Sequence, residues 1–552
     1  MMALTLRTSK FFIYLFLITC STQIYFASRG LDLTDQGYFL GNLEAWKEPY
    51  FMPISGAAFY YLISDFFLGN WTYFASKLFA QVQCLIVLFF IYNFHKKESQ
   101  NPTILGCLLL LGIPWVTRSA LGDWTYYSTL SGLTISLSIL FLARSLSEYK
   151  HKFLLFNLAI FLILASISIK ITNVVFLGVI PFYLLFNRYS VSKIKKASIL
   201  SSLLSYLTIL STLVYLIYSD PQLRTYFLDG IQILKEFTSS TSLHSPDELL
   251  RKNLSDLKES IVSSLVVCAL IFTFYVIAHL KSKLRLLTEL AFFVLVVFLQ
   301  VNFNIIGDVG PYAFYVVFLI YITFQFKKDD LRFLALGTLF FLLFNSFGSG
   351  NGLKAAFIAE PMAFFVIVLF LTQRLTDFLF FTKIVVGLCI LGLLTKIHAP
   401  YRDLQRLGLN TPVSSTPLLR GLYTSEARNR QITWLVQKRQ SLFPDANVAI
   451  IFPSAPLLHY ALELKPYLAN PWINLYHPEI LTRLLNDKAT QVLPDVIIML
   501  KQNPRKKGWP LDKSPMEKDQ NFSSIQILKN FISSHYFSNV EENEHFIIYK
   551  KL

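Results

Sequence analysis

Asp32 and Asp35 stand in Leu31-Asp32-Leu33-Thr34-Asp35-Gln36-Gly37-Tyr38, directly after the first apolar segment of the chain. A carboxylate placed there can take a proton from a hydroxyl or an amine. An Asp ahead of a helix can equally cap its free N–H groups. Capping suits Asp32 better and proton transfer suits Asp35, so Asp35 leads the catalytic candidates and Asp32 follows. Asp123, in Gly122-Asp123-Trp124 before a later apolar run, is a third acid of this kind, with capping as its equal alternative. Cations away from basic clusters point to phosphate recognition. Lys170 lies between two apolar runs in Ser168-Ile169-Lys170-Ile171-Thr172-Asn173, a costly place for an unpaired ammonium. Lys354 follows Gly348-Ser349-Gly350-Asn351-Gly352-Leu353, whose glycines free backbone N–H groups to meet an anion. Lys77 opens another apolar run and can serve phosphate or snorkel. The phosphate candidates are thus Lys170, Lys354, Lys77 and Asn351. Tyr38, Tyr50, Arg118 and His244 are candidates for substrate contact, although an ordinary solvated loop also accounts for His244. There is no His-Glu-x-x-His, no Cys/His cluster with zinc spacing and no Gly-x-Ser-x-Gly, so metal- and serine-hydrolase readings have no foothold.

The elements that must position these residues are apolar. Of 552 residues 54% are hydrophobic and only 15% charged, against roughly 25% charged in a soluble domain. Continuous Leu/Ile/Phe/Val runs near 11–27, 72–94, 103–117, 125–143, 153–169, 171–187, 197–218, 260–279, 286–302, 311–326, 332–346, 357–373 and 379–396 give about thirteen expected membrane helices. The net charge of +16 sorts into alternate short loops: Arg7 and Lys10, Lys96 and Lys97, Arg144 to Lys152, Arg188 to Lys196, Lys281 to Arg285, Lys327 and Lys328, Arg374 and Lys383. By the positive-inside rule those loops and the N-terminus are cytoplasmic, and no nucleic-acid partner is needed to explain the charge. The opposite side then carries segments 28–71, 118–124, 219–259 and 345–360. Residues 54–67 suit a helix lying in the membrane interface, and Pro246 onward reads as an amphipathic loop helix. No cleavage site precedes Asp32, so the first span is expected to stay. All five cysteines fall in apolar runs and read as core residues.

Residues 1–396 therefore form a polytopic helical membrane domain, and 397–552, richer in Pro, Asn and Lys, a soluble α/β domain outside the membrane. Within the latter, Val448–Phe452 and Val496–Leu500 read as buried strands, with helices over Glu426–Gln440 and Ile480–Asn486. No Gly-rich phosphate fingerprint follows either strand.

The segment from Asp35 through Pro49-Tyr50 and Gly69 to Lys77, together with 118–127, Lys170 and 345–361, resembles the GT-C glycosyltransferases. The layout is similar to the lipid A aminoarabinose transferases and protein O-mannosyltransferases over about the first 400 residues. In that family a second acid typically follows the first; here Gln36 takes its place, which leaves Asp35 acting alone or with Asp32. The resemblance implies transfer of a sugar from a polyprenyl phosphate to an extracytoplasmic lipid, glycan or protein, with inversion, Asp35 as base and Lys170 or Lys354 on the phosphate. It implies no fixed cofactor beyond the lipid-linked donor, leaves room for a divalent cation without naming metal ligands, and suits a monomer in a bacterial inner membrane. A polytopic transporter or flippase of lipid-linked glycan is the competing class. Transporters favour ionisable or broken-helix sites near the midplane of paired repeats, and no repeat is visible here.

Overall fold

The computed structural model describes residues 2–45, 64–99, 101–119, 125–148, 150–189, isolated positions between 204 and 224, 246–280, 284–303, 306, 311–346, 352–374, 378–398, 402–468, 470–473, 476, 478–506, 508–512, 522–535 and 537–551. Helices dominate the first 398 residues: α1 Met2–Ser28, α2 Asp35–Ala45, α3 Thr72–His95, α4 Pro102–Val116, α5 Tyr127–Ser147, α6 Lys152–Ile169, α7 Val179–Tyr189, α8 Pro246–Ala278, α9 Arg285–Phe303, α10 Tyr312–Gln325, α11 Asp329–Phe344, α12 Glu360–Arg374 and α13 Phe378–His398.

Among the described residues, six helical stretches are long and apolar enough to cross a membrane: Lys10–Ser28, Ser64–Glu98, Tyr127–Ser147, Lys152–Ile169, Leu250–Ala278 and Leu379–His398. The 3-10 helix Gly352–Ile358 and α12, bent by 55°, make a seventh if taken as one span. These account for part of the about thirteen runs read from apolarity, and apolarity alone does not fix helix length. The 15 residues of α4 rise only about 22 Å, short of a hydrocarbon core roughly 30 Å thick. Ile171–Gly178 forms 3-10 turns before α7, dividing a run that reads as one span. Conversely, α8 runs unbroken for 33 residues, joining the expected loop helix to the span at 260–279, since no Gly or Pro interrupts Asp247–Ala278. Most of the expected run at 197–218 and most of the interfacial stretch 54–67 lie outside the described residues.

Small residues set the closest approaches in the bundle. A Cβ on Gly392 of α13 would lie 2.4 Å from the Trp115 backbone nitrogen, and one on Gly112 of α4 would lie 2.0 Å from the Phe364 ring.

The C-terminal region contains α14 Glu426–Leu442, α15 Leu457–Leu462, α16 Pro478–Ala489 and α17 Phe522–Ser534. A two-residue antiparallel pair, β1 Thr411–Pro412 and β2 Tyr423–Thr424, precedes a five-stranded sheet. The sheet strands are β3 Val448–Phe452, β4 Lys465–Pro466, β5 Val496–Leu500, β6 Phe537–Glu542 and β7 Phe546–Lys551, in the order β4-β3-β5-β7-β6. β3 is parallel to β4 and β5, while β7 is antiparallel to β5 and β6. Side chains alternate along a strand, and both faces are covered. Ala449, Ile451, Val496 and Ile498 face one buried cluster, and Ile450, Phe452, Ile497 and Met499 face the other.

The first of these clusters includes Leu31, Leu33, Leu40 and Tyr73 from the early part of the chain. The core of the C-terminal region is thus completed by the connection that carries Asp32 and Asp35. Helix α2 seats on α15 through Gly37 and Gly41, where a Cβ would fall 2.4 Å from the Leu457 nitrogen and 2.8 Å from the Pro456 oxygen. The Leu457 N–H also donates to the Leu33 carbonyl at 3.1 Å.

His459, in α15, is buried with Nδ1 3.0 Å from the Leu464 carbonyl oxygen. Burial pulls its imidazole down to about 4, with the hydrogen bond to Leu464 opposing. An unfolded chain binds that proton near pH 6.5. Between the two values the unfolded state holds more protons, so stability present above about pH 6.5 is lost as pH falls toward 4. The loss amounts to roughly 3 kcal/mol at the acid end. Melting curves between pH 7 and 4.5 are expected to show His459→Gln flattening this acid limb; an unchanged limb would assign the acid sensitivity elsewhere.

Candidate functional site

The site is built on the start of α2. Asp32 is buried and its two oxygens are occupied: Oδ1 accepts from the Thr34 N–H at 3.0 Å and the Thr34 hydroxyl at 2.7 Å, and Oδ2 accepts from the Gln36 N–H at 2.8 Å. These bonds satisfy amides that the opening turn leaves without helical partners, and α2 accordingly begins at Asp35, two residues ahead of Gly37. Burial, then the charge of Asp35, push the Asp32 carboxyl upward, against the Arg402 guanidinium and the hydrogen bonds.

Asp35 is different. Its side chain is 32% exposed and its Oδ2 lies 2.9 Å from Arg402 NH1. Arg402 also donates to the Thr34 hydroxyl. Aromatic residues of α2 and of the start of α5 pack close by. Tyr38 lies 6.1 Å from Trp472, Phe39 lies 6.5 Å from Tyr126 and 6.3 Å from Tyr127, and the charge of Asp35 is felt at Tyr126 and Tyr127. Gln36 points the other way, donating from Nε2 to Ser76 Oγ at 2.7 Å and tying α2 to α3. Its position is a packing position, which explains why an amide serves there.

The cations divide. Lys77 donates to the carbonyls of Arg29 and Gly30, each at 2.6 Å, and pins the end of α1 against α3. Arg118 is buried, with NH1 2.8 Å and NH2 3.3 Å from the carboxylate oxygens of Glu360 and its guanidinium 3.9 Å above the Trp115 ring. This bidentate pair locks α4 to α12. Lys170 is buried just past α6 and donates to the Asn345 carbonyl at 3.2 Å. Asn345 in turn donates to the Ala355 carbonyl at 2.8 Å, so Lys170 supports the connection that carries Lys354. Lys354 is half-buried in the 3-10 helix Gly352–Ile358. The turn before it needs a glycine: Gly352 has φ +58°, and a Cβ there would lie 2.3 Å from Asp256 Oδ2. Asp123, Asn351, Tyr50 and His244 lie outside the described residues.

The arrangement thus gathers Asp32, Asp35 and Tyr38 at one place and links Lys170 to the Lys354 connection at another. Among the described residues no group of three or more His, Cys, Asp or Glu is placed to hold a metal ion. Sequence reading missed Arg402, Asp403 and Arg428. Arg402 was open to the same reasoning that marked the lysines, since Arg402-Asp403 is the first charged pair after the last apolar run.

Family models and curated proteins offer no match to this chain. The functional reading therefore rests on the residues and their geometry.

Proposed function

We propose that the protein is a membrane glycosyltransferase of the GT-C type, taking sugar from a polyprenyl phosphate and passing it to an extracytoplasmic acceptor. The observation that carries this reading is a partly exposed carboxylate, Asp35, at the end of an apolar helical bundle and under a C-terminal region that shares its core. In this reading the helices lie in a bacterial inner membrane with the N-terminus inside and the C-terminal region outside. The lipid-linked donor enters from the bilayer.

Asp35 takes the proton from the acceptor hydroxyl or amine as that atom attacks the anomeric carbon. The new bond forms while the bond from that carbon to the phosphate oxygen breaks, and the electron pair leaves with the phosphate. Direct attack inverts the anomeric carbon. Arg402 holds the Asp35 carboxylate in place before the acceptor arrives, and the aromatic rings offer apolar faces to sugar or lipid. Lys354, backed by Lys170, is placed on a glycine-rich connection suited to the leaving phosphate. Lys77 and Arg118 act in packing, beneath this chemistry.

The test is transfer of radiolabelled sugar from polyprenyl-phosphate hexoses by the purified protein in lipid, with membrane extract as acceptor. Sugar appearing on an acceptor supports the proposal. Movement of intact lipid-linked glycan across vesicles without sugar release would replace it with the flippase reading.

A further inference from the structure

A second feature lies away from Asp35. A cavity of about 370 Å³ opens between α8, α9, α10, α12 and α13, lined almost wholly by apolar side chains such as Phe274, Phe292, Phe318, Phe364 and Leu388. That volume falls in the range of sites for small ligands, roughly 300–1,000 Å³. Its wall on α13 runs from Phe380 to Leu391, about 16 Å by helical rise. This is close to half of a hydrocarbon core roughly 30 Å thick, the depth of one leaflet.

The end of the cavity farthest from the C-terminal region is charged. Lys383 lines it and lies 2.6 Å from Glu289, which Arg285 approaches to 3.0 Å. Two cations and one carboxylate leave a net charge of +1 at this end. Lys383 is 29% and Arg285 42% exposed, whereas Glu289 is 8% exposed, so the surface presented outward is cationic.

We infer that this cavity holds one acyl chain of an anionic phospholipid, with its headgroup phosphate at Lys383 and Arg285. The length selects a chain of leaflet depth, the lining excludes polar ligands, and the cationic end selects negative charge. The inference rests on the bundle lying in lipid and not on sugar transfer; its readout involves no turnover, so the two stand or fall separately.

The experiment uses the full chain in nanodiscs of equal parts phosphatidylglycerol and phosphatidylcholine, followed by mild detergent extraction and native mass spectrometry of the protein with its retained lipid. Phosphatidylglycerol is expected to be retained over phosphatidylcholine by roughly fivefold, the order of one cation's contribution near a lipid surface. Gly387→Leu fills the cavity wall and is expected to lower retention of both lipids severalfold. Lys383→Gln is expected to keep the chain and lose the headgroup preference. Equal retention of the two lipids by the unaltered protein, unchanged retention in Gly387→Leu, or a polyprenyl lipid as the retained species would overturn the inference.

Discussion

Replacing Asp35 by Asn is expected to lower sugar transfer by roughly 10²- to 10⁴-fold, the usual contribution of a general base, while donor binding persists. The comparison that gives this result meaning is Asp32→Asn. Asp32 is 4% exposed and both its oxygens already accept protein N–H or O–H groups, so no acceptor proton can reach it without dismantling the start of α2. Asn caps a helix nearly as well as Asp. Asp32→Asn should therefore cost about 1 kcal/mol through one weakened hydrogen bond and leave turnover of the folded protein within a few fold. Equal loss in both variants would mean that the helix start, and not a particular carboxylate, is what transfer requires. Full turnover in Asp35→Asn would remove Asp35 as the base.

The largest stability effect is expected at Arg428. This side chain is 1% exposed and lies 3.2 Å from Asp403, which is 0% exposed. Its guanidinium also donates to the carbonyls of Leu31, Arg402 at 2.8 Å, and Trp509 at 3.0 and 3.1 Å. Asp403 in turn accepts from the Leu31 N–H at 3.0 Å and the Thr424 hydroxyl at 2.9 Å. Arg428→Met keeps much of the volume but leaves Asp403 buried without its cation. Removing one partner of a buried pair costs about 3–5 kcal/mol, which should lower the melting temperature by on the order of ten degrees. Because the same knot carries the Arg402 backbone, transfer should fall with it even below the melting point. A shift of only a degree or two would show that water reaches Asp403 when the arginine is gone.

How far the sequence foretold this can be followed residue by residue. The near-continuous burial of Val448–Phe452 and Val496–Leu500 was legible because a strand with two covered faces is a short continuous apolar run. The preference for Asp32 as a cap was legible because capping is a local bond between near neighbours. The partner of Asp35 was not. Arg402 lies 367 residues away by numbering, and no local period marks a contact of that range. Lys77 reads the same from sequence whether it faces phosphate or carbonyls; only the position of Arg29 and Gly30 beside it decides. Hydropathy reports composition and does not show backbone geometry, so the 3-10 turns at Ile171–Gly178 and the 15-residue length of α4 could not be read from it.

The shared core of α2 and the C-terminal region sets an order of events during synthesis. Leu31 waits for Asp403 across 372 residues, which at about 5–20 residues per second takes roughly 20–75 s. For that interval Leu457 and Pro456, against which Gly37 and Gly41 seat, are not yet made, nor is Arg402, the partner of Asp35. The carboxylate is thus translated well before the residues that form its final surroundings. A chain ended before Arg402 lacks the partner of Asp35 and the residues that Leu31, Leu33 and Leu40 pack against, so the proposed transfer is expected only from a chain translated past them.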